Sequence, residues 1–359
     1  VKAPFHPVTR ALLYIPAGLY AAGVRLRHAL YRHQLFKTHH LSAPVISIGN
    51  LTVGGTGKTP LTAFIARYLR DEGRSVAILS RGYKRSGTGR VEVSNEQSVL
   101  CGPQQSGDEP YLLAVACPGV RVIVDSDRYS AGRWLEQQTK VSAFILDDAF
   151  QHLRVARDLN LLLLDATEPL SELRIVPFGR LREPLTAMQR ADAVIITRAD
   201  QPFDRAAFHS LIRQHGGAAV PVFHATHEMT RLRRLKTTGN AEFIPATNFA
   251  QRRVAAVSGI ARPERFIADL ERLKIAIVLR RDFRDHHRYT APELAEIFRQ
   301  AQAAQAEAVI ITEKDAANLP PAATGNSLLP LYAAQIEFRC EEEAELKKLI
   351  LNALQLHRQ

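Results

Sequence analysis

The 359-residue chain is long enough for about two domains and for a core that needs no covalent staples. Its 46% hydrophobic and 23% charged residues exclude a disordered or fibrous chain, and Cys101, Cys117 and Cys340 lack CxxC or CxxH spacing, which excludes a zinc ribbon and fits a reducing compartment. A net charge of +11 points to an anionic partner; with no zinc-finger or RNA-recognition signature, that partner is read as a membrane surface or a phosphorylated substrate and not as nucleic acid.

The first 40 residues differ in character from the rest. From Ala11 to Val24 the chain is apolar, interrupted by Pro16 and Gly18 and followed by Arg25, Arg27, His28, Arg32, His33 and Lys37. This stretch is shorter than the about 20 apolar residues of a spanning helix, and its arginine-rich sequel is not that of a cleaved leader. Val8, Leu12, Ile15, Leu19, Ala22, Leu26 and Leu30 recur every three or four positions, which predicts an amphipathic helix. Such a stripe either lies in a membrane interface, its basic neighbours on anionic headgroups, or covers the chain's own core.

An apolar, β-branched run from Val45 to Ile48 then leads through Gly49-Asn50-Leu51 into Thr52-Val53-Gly54-Gly55-Thr56-Gly57-Lys58-Thr59 and a helical pattern from Leu61 to Arg70. Strand, glycine-rich loop and helix in this order make a phosphate cradle. Backbone N–H groups of the loop, Thr52 to Gly57, turn inward on phosphate oxygens, Lys58 reaches the β- and γ-phosphates, and the Thr59 hydroxyl meets Mg²⁺. The one departure from the Walker A pattern is Thr52, which stands at its first glycine.

Further apolar runs follow at α/β spacing: Val76 to Leu79, Val122 to Val124, Ala143 to Leu146, Leu161 to Leu164 and Ala193 to Ile196. Continuous runs of this kind suit a parallel sheet buried on both faces, so the predicted fold is α/β, a P-loop NTPase-type α/β/α sandwich with a mainly parallel sheet. The run from Ala143 ends in Asp147 and Asp148, a Walker B pair in which one carboxylate holds Mg²⁺ and the other orients it or meets the acceptor. Asp165 ends a strand without a neighbouring acid and is read as a cap or loop residue.

Loops after these runs hold the remaining candidates. Ser80-Arg81-Gly82-Tyr83-Lys84-Arg85 can clamp phosphate, Gly107-Asp108-Glu109-Pro110 sets two acids before a helix, Asp125-Ser126-Asp127-Arg128 follows another strand, and the prolines of Pro177 to Pro184 stiffen the loop that positions Glu183. In Asp285-His286-His287 adjacent side chains rarely face one ion, so the expected role is a histidine coupled to a carboxylate for acid/base work.

These blocks, with Leu146-Asp147-Asp148-Ala149-Phe150-Gln151-His152, Gly259-Ile260-Ala261 and Thr312-Glu313-Lys314-Asp315, resemble the tetraacyldisaccharide 4'-kinase family of P-loop kinases from Pro44 through Pro320. Ala149 stands where that family more often has glycine. The resemblance implies ATP-dependent, Mg²⁺-requiring phosphorylation of the 4'-hydroxyl of a tetraacylated glucosamine disaccharide 1-phosphate in lipid A synthesis, at the cytoplasmic face of the inner membrane. It implies Asp108 as catalytic base with His286 as its partner, Asp147 and Asp148 as the acidic pair, Glu183 as a further Mg²⁺ or water ligand, and Arg81 and Arg128 as phosphate clamps.

It also implies a second, smaller α/β/α domain and an active site in the cleft between the two: a helix in 1–40, a kinase core in 41–225, a linker in 226–252, and the second domain in 253–359, which closes on the core. An acceptor with four acyl chains stays in the bilayer, which favours the interfacial reading of the first helix. Three other classes fit less. A GTPase or ATPase switch would read the base with Thr197-Arg198-Ala199-Asp200, which lacks the expected lysine; a cytosolic small-molecule kinase leaves the first helix without purpose; a membrane binder without activity leaves Lys58, Asp108 and Asp147 unexplained.

Overall fold

A computed structural model describes residues 7–83, 85–235, 242–320 and 329–357. Helix α1 (Pro7–Arg32) precedes an alternating run of β1 (Val45–Asn50), α2 (Lys58–Asp71), β2 (Val76–Ser80), β3 (Val91–Ser94), α3 (Pro103–Ser106), α4 (Asp108–Ala116), β4 (Arg121–Val124), α5 (Arg128–Gln138) and β5 (Ala143–Leu146). Then come β6 (Leu159–Asp165), β7 (Ala193–Thr197), α6 (Arg205–Gly216), β8 (Val222–Arg234) and β9 (Glu242–Pro245). The chain ends with β10 (Arg253–Ser258), α7 (Pro263–Arg272), β11 (Ala276–Asp282), α8 (Ala291–Ala303), β12 (Ala308–Thr312), α9 (Glu313–Ala317), β13 (Leu331–Cys340) and α10 (Glu343–Leu356).

Among the described residues the strands form one sheet in the order β11-β10-β12-β13-β8-β7-β6-β1-β5-β2-β4-β3, with β9 on β8. From β8 to β4 the pairing is parallel, and the central strands β7, β6, β1, β5 and β2 are buried on both faces along their whole length. Helices α2, α4 and α10 cover one face around Ile48, Leu61 and Ile350, while α5 and α6 cover the other around Phe144 and Phe208. The second half is layered the same way, α7 on one face of β10–β12 and α8 on the other.

The expected division of the chain needs correction at two points. Residues 226–252 are not a free linker: β8 runs through the boundary at 225/226 and pairs antiparallel with β13, so one ladder joins the two halves. The segment from 253 to the end is not one domain either, because α10 returns to the first core, where Leu346, Ile350, Ala353 and Leu354 are buried beside Ile46, Ile48 and Phe338. Cys117 is sealed in that same core, its thiol donating to the Ala63 carbonyl at 3.8 Å and pushed up to about 12 by burial.

Helix α1 leans on the first half by one side. Ala17 is buried and Ala21, Val24, Arg27 and His28 are partly covered, whereas Leu19 (69%) and Leu26 (61%) face outward with Ala22. Leu19, Ala22 and Leu26 of the predicted stripe are therefore turned away from the chain's own core while Leu30 is partly covered; the side chains of Val8, Leu12 and Ile15 lie outside the described ones. No helix of the described residues is long and apolar enough to cross a membrane.

Candidate active site

In an open parallel sheet, loops at the carboxyl ends of neighbouring strands share one rim. Here β1 delivers the glycine-rich loop and its neighbour β5 delivers Asp147 and Asp148 to that rim. Gly57, at φ +87°, ends the loop as the N-cap of α2 and gives the helix no side-chain cap. A side chain there would be strained and would run into the ring of His227, which closes the loop from below. Uncapped first-turn amides beside exposed Gly54 and Gly55 are a cradle for an anion, and they fit the phosphates of a nucleotide.

The loop is braced from behind. The Val53 N–H donates to the Arg180 carbonyl and the Arg182 N–H to the Leu51 carbonyl, each at 2.7 Å, while the Thr197 hydroxyl and Arg198 hold the Thr56 and Gly55 carbonyls at 2.9 and 3.0 Å. Thr52 is buried and bridged to Leu181, which limits its part in phosphate binding to the backbone. Thr59 is half-buried in the first turn of α2.

The two acids diverge because Asp148 adopts the left-handed region, φ +44°. Asp147 turns inward, accepting from Thr62 Oγ1 at 3.2 Å and Ser80 Oγ at 3.3 Å; burial, with Glu109 and Asp148 adding to it, pushes its carboxyl up to about 7. Asp148 turns toward Lys58, 3.5 Å away, and Arg182, whose guanidinium spans both carboxylate oxygens at 3.1 and 3.3 Å. Burial acts to raise Asp148, but Lys58 and Arg182 outweigh it and hold the carboxyl below its ordinary value. Lys58 also donates to Asn50 Oδ1 at 3.3 Å. Two adjacent carboxylates, one of them pushed toward its neutral form by burial near other acids, are a donor set whose charge a divalent cation would satisfy.

Asp108 opens α4 after Gly107, and its Oδ2 lies 2.6 Å from His286 Nδ1 and 3.4 Å from Asn318 Nδ2, both in the second half. The His286 hydrogen bond is the main reason the Asp108 carboxyl sits below its usual range; burial opposes it and Asn318 assists. His286 is itself in the left-handed region, φ +62°, and this kink separates it from His287. His287 stacks on Phe283 with ring centroids 4.5 Å apart and faces Glu293, so the two histidines serve different surroundings. The halves also meet at Asp165, where Arg198 is joined by Arg262 and Arg265 of the second half at 3.8 and 3.7 Å. The Thr312–Asp315 block is architectural: buried Asp315 accepts from the Gly259 N–H, the Tyr289 hydroxyl and the Thr312 hydroxyl.

Two expected roles need correction. Among the described residues Glu183 is an ion-pair partner within the protein: its side chain is 2% exposed, Oε1 is 2.9 Å from His28 Nε2, and Oε2 holds Arg190. Arg128 is buried under the acidic turn and donates to the backbone carbonyls of Asp147 and Asp148 at 3.1 and 3.3 Å, so it supports the turn and does not clamp phosphate. Arg81 is exposed at the end of β2, free in direction to reach an anion; Lys84 lies outside the described residues. The residue that motif reading passed over is Arg182, next to Glu183 in the same loop; its signal was a cation in a rigid loop that faces an acidic pair.

The family model described as LpxK, Tetraacyldisaccharide-1-P 4'-kinase, matches residues 9–355. The chain belongs to the tetraacyldisaccharide 4'-kinase family. A tetraacyldisaccharide 4'-kinase of Geobacter sulfurreducens is 41% identical over 94% of this chain and 91% of its own length, and one of Desulfotalea psychrophila is 40% identical over 89% and 90%. The crystal structure of LpxK from Aquifex aeolicus in complex with ATP matches with a TM-score of 0.79 at 33% identity, covering 96% of this chain and 99% of that one. The tetraacyldisaccharide 4'-kinase family thus shares this fold along nearly the whole chain.

Proposed function

We propose that this chain transfers the γ-phosphoryl group of ATP to the 4'-hydroxyl of a tetraacylated glucosamine disaccharide 1-phosphate. The observation that carries the reading is the Asp108–His286 pair, built from both halves beside a phosphate loop and an acidic turn in a chain of this family. Asp108 is ionised at neutral pH and accepts the proton of the sugar hydroxyl as its oxygen bonds to the γ-phosphorus and the bond to the bridging oxygen breaks, releasing ADP. His286 fixes the direction of the carboxylate through its hydrogen bond to Oδ2. Lys58 and the loop amides hold the phosphates, and Arg81 stands ready for a second anionic group. Thr59, Asp147 and Asp148 would hold Mg²⁺, which neutralises charge on the transferring phosphates.

An acceptor of this kind lies in a bilayer, and the outward Leu19 and Leu26 of α1, with the net charge of +11, suit a monotopic seat on an anionic membrane at its cytoplasmic face. The test is label transfer from γ-labelled ATP in mixed micelles, comparing the tetraacyl disaccharide 1-phosphate with a water-soluble disaccharide. Label is expected on the lipid, only with Mg²⁺, and Asp108→Ala should lower kcat by about 10²–10⁴ while nucleotide binding persists. Phosphate release indifferent to any acceptor would overturn the reading.

A further inference from the structure

The inner side of α1 meets the two loops that arrange the acidic turn. Tyr20 Oη donates to the Arg182 carbonyl at 2.9 Å, Arg27 donates to the Gln151 carbonyl at 2.9 Å, and His28 Nε2 lies 2.9 Å from Glu183 Oε1. Each contacted residue, or its neighbour, then reaches the reaction centre. The Arg182 side chain holds Asp148, Asn50 and, at 3.1 Å, the Thr52 carbonyl. The Gln151 side chain donates to the Asn50 carbonyl at 2.8 Å. Arg190 closes the group, bound to Glu183, 3.4 Å from His28 and stacked over the Phe150 ring two residues after Asp148.

Two short routes therefore run from α1 to Asn50 and Asp148, through Arg182 and through Gln151, and neither uses the outward Leu19 or Leu26. A buried carboxylate satisfied at one oxygen by α1 and at the other by the core is costly to leave half-paired, so α1 and the Arg182–Glu183 loop are held as one unit. We infer that His28, with Tyr20 and Arg27, is a positioning residue: α1 sets the place from which Arg182 and Gln151 fix Asp148 and Asn50, in addition to any part it plays at a membrane. This rests on the reading of Asp148 and Lys58 as parts of the phosphoryl-transfer centre.

The experiment compares the full-length chain with His28→Ala, His28→Gln and Tyr20→Phe in three measurements: kcat at saturating lipid acceptor, the Mg²⁺ dependence of binding a fluorescent ATP analogue without acceptor, and flotation with anionic vesicles. His28→Ala should lower kcat about tenfold and raise the Mg²⁺ concentration needed for nucleotide binding, because a small displacement of a positioned group costs this much. Flotation should be unchanged. His28→Gln, whose amide can still donate to Glu183, should recover part of the loss, and Tyr20→Phe, which removes one exposed hydroxyl, should show a smaller shift of the same kind in a protein that melts as the parent does. Unchanged kcat and Mg²⁺ dependence in His28→Ala would overturn the inference and leave α1 as an attachment alone. The nucleotide measurement needs no acceptor, so it reads this inference even if the proposed lipid substrate is wrong.

Discussion

Asp108 and His286 are separated by 178 positions in sequence and by 2.6 Å in space. A carboxylate held below its unfolded value of roughly 4 adds stability that is fully present above that value and is lost as pH falls through the lower folded value. At neutral pH the pair is therefore intact, and the base is unprotonated without further cost. His286→Ala removes the largest cause of the depression, so the acid limb of the pH profile of kcat/KM should move upward. An acid limb that stays in place in this variant would show that another group controls it. The phosphate-loop and acidic-strand patterns single out Lys58 and the acidic pair because their residue types carry the chemistry, whereas Asp108 and His286 are picked out of many acids and histidines by the family resemblance. Motif reading could not separate Asp147 from Asp148, since the left-handed turn at Asp148 is decided by packing against Arg128 and Arg182. It assigned Glu183 and Arg128 outward roles because a charge in a loop does not disclose whether a buried partner awaits it.

The elements were legible where apolar periodicity is strong, as in β1, β5, β6 and β7, and less so where a strand is polar on one face. β8 carries Thr226, His227, Glu228, Arg231 and Arg233, a pattern that looks like a break in the core until β13 is placed beside it. Helix α10 is similar: amphipathic by sequence, but silent about which core takes its apolar side. Ile350 is fully buried among first-half residues. Ile350→Ala should cost about 2–5 kcal/mol and lower Tm by several degrees. The local readout is the Cys117 thiol, which lies in the same core and should label faster in the variant. Faster labelling confined to other cysteines would place α10 against a different part of the fold.

For the whole molecule, charge and shape act together. The excess of basic groups draws the chain to an anionic surface over a distance set by ionic strength, and the outward side of α1 supplies the apolar contact that retains it. Leu19→Glu with Leu26→Glu should abolish flotation with anionic vesicles and raise the KM for a micellar acceptor, with melting unchanged, because both side chains already face away from the core. Retained flotation in the double variant would mean that attachment lies elsewhere. The general architecture, an α/β sheet with a phosphate loop at its switch point, follows from sequence. The joining of both halves into one sheet does not, because it depends on long-range pairing that no local pattern records.

The return of α10 to the first core also bears on how the chain is made. On the ribosome the strands and helices up to β8 emerge well before β13 and α10, yet Leu346, Ile350, Ala353 and Leu354 are part of the cover that closes them. The nascent first half must wait with an uncovered apolar face until α10 has left the exit tunnel. A premature stop before α10 that spares every residue of the phosphate loop would still release a protein whose first core lacks part of its cover.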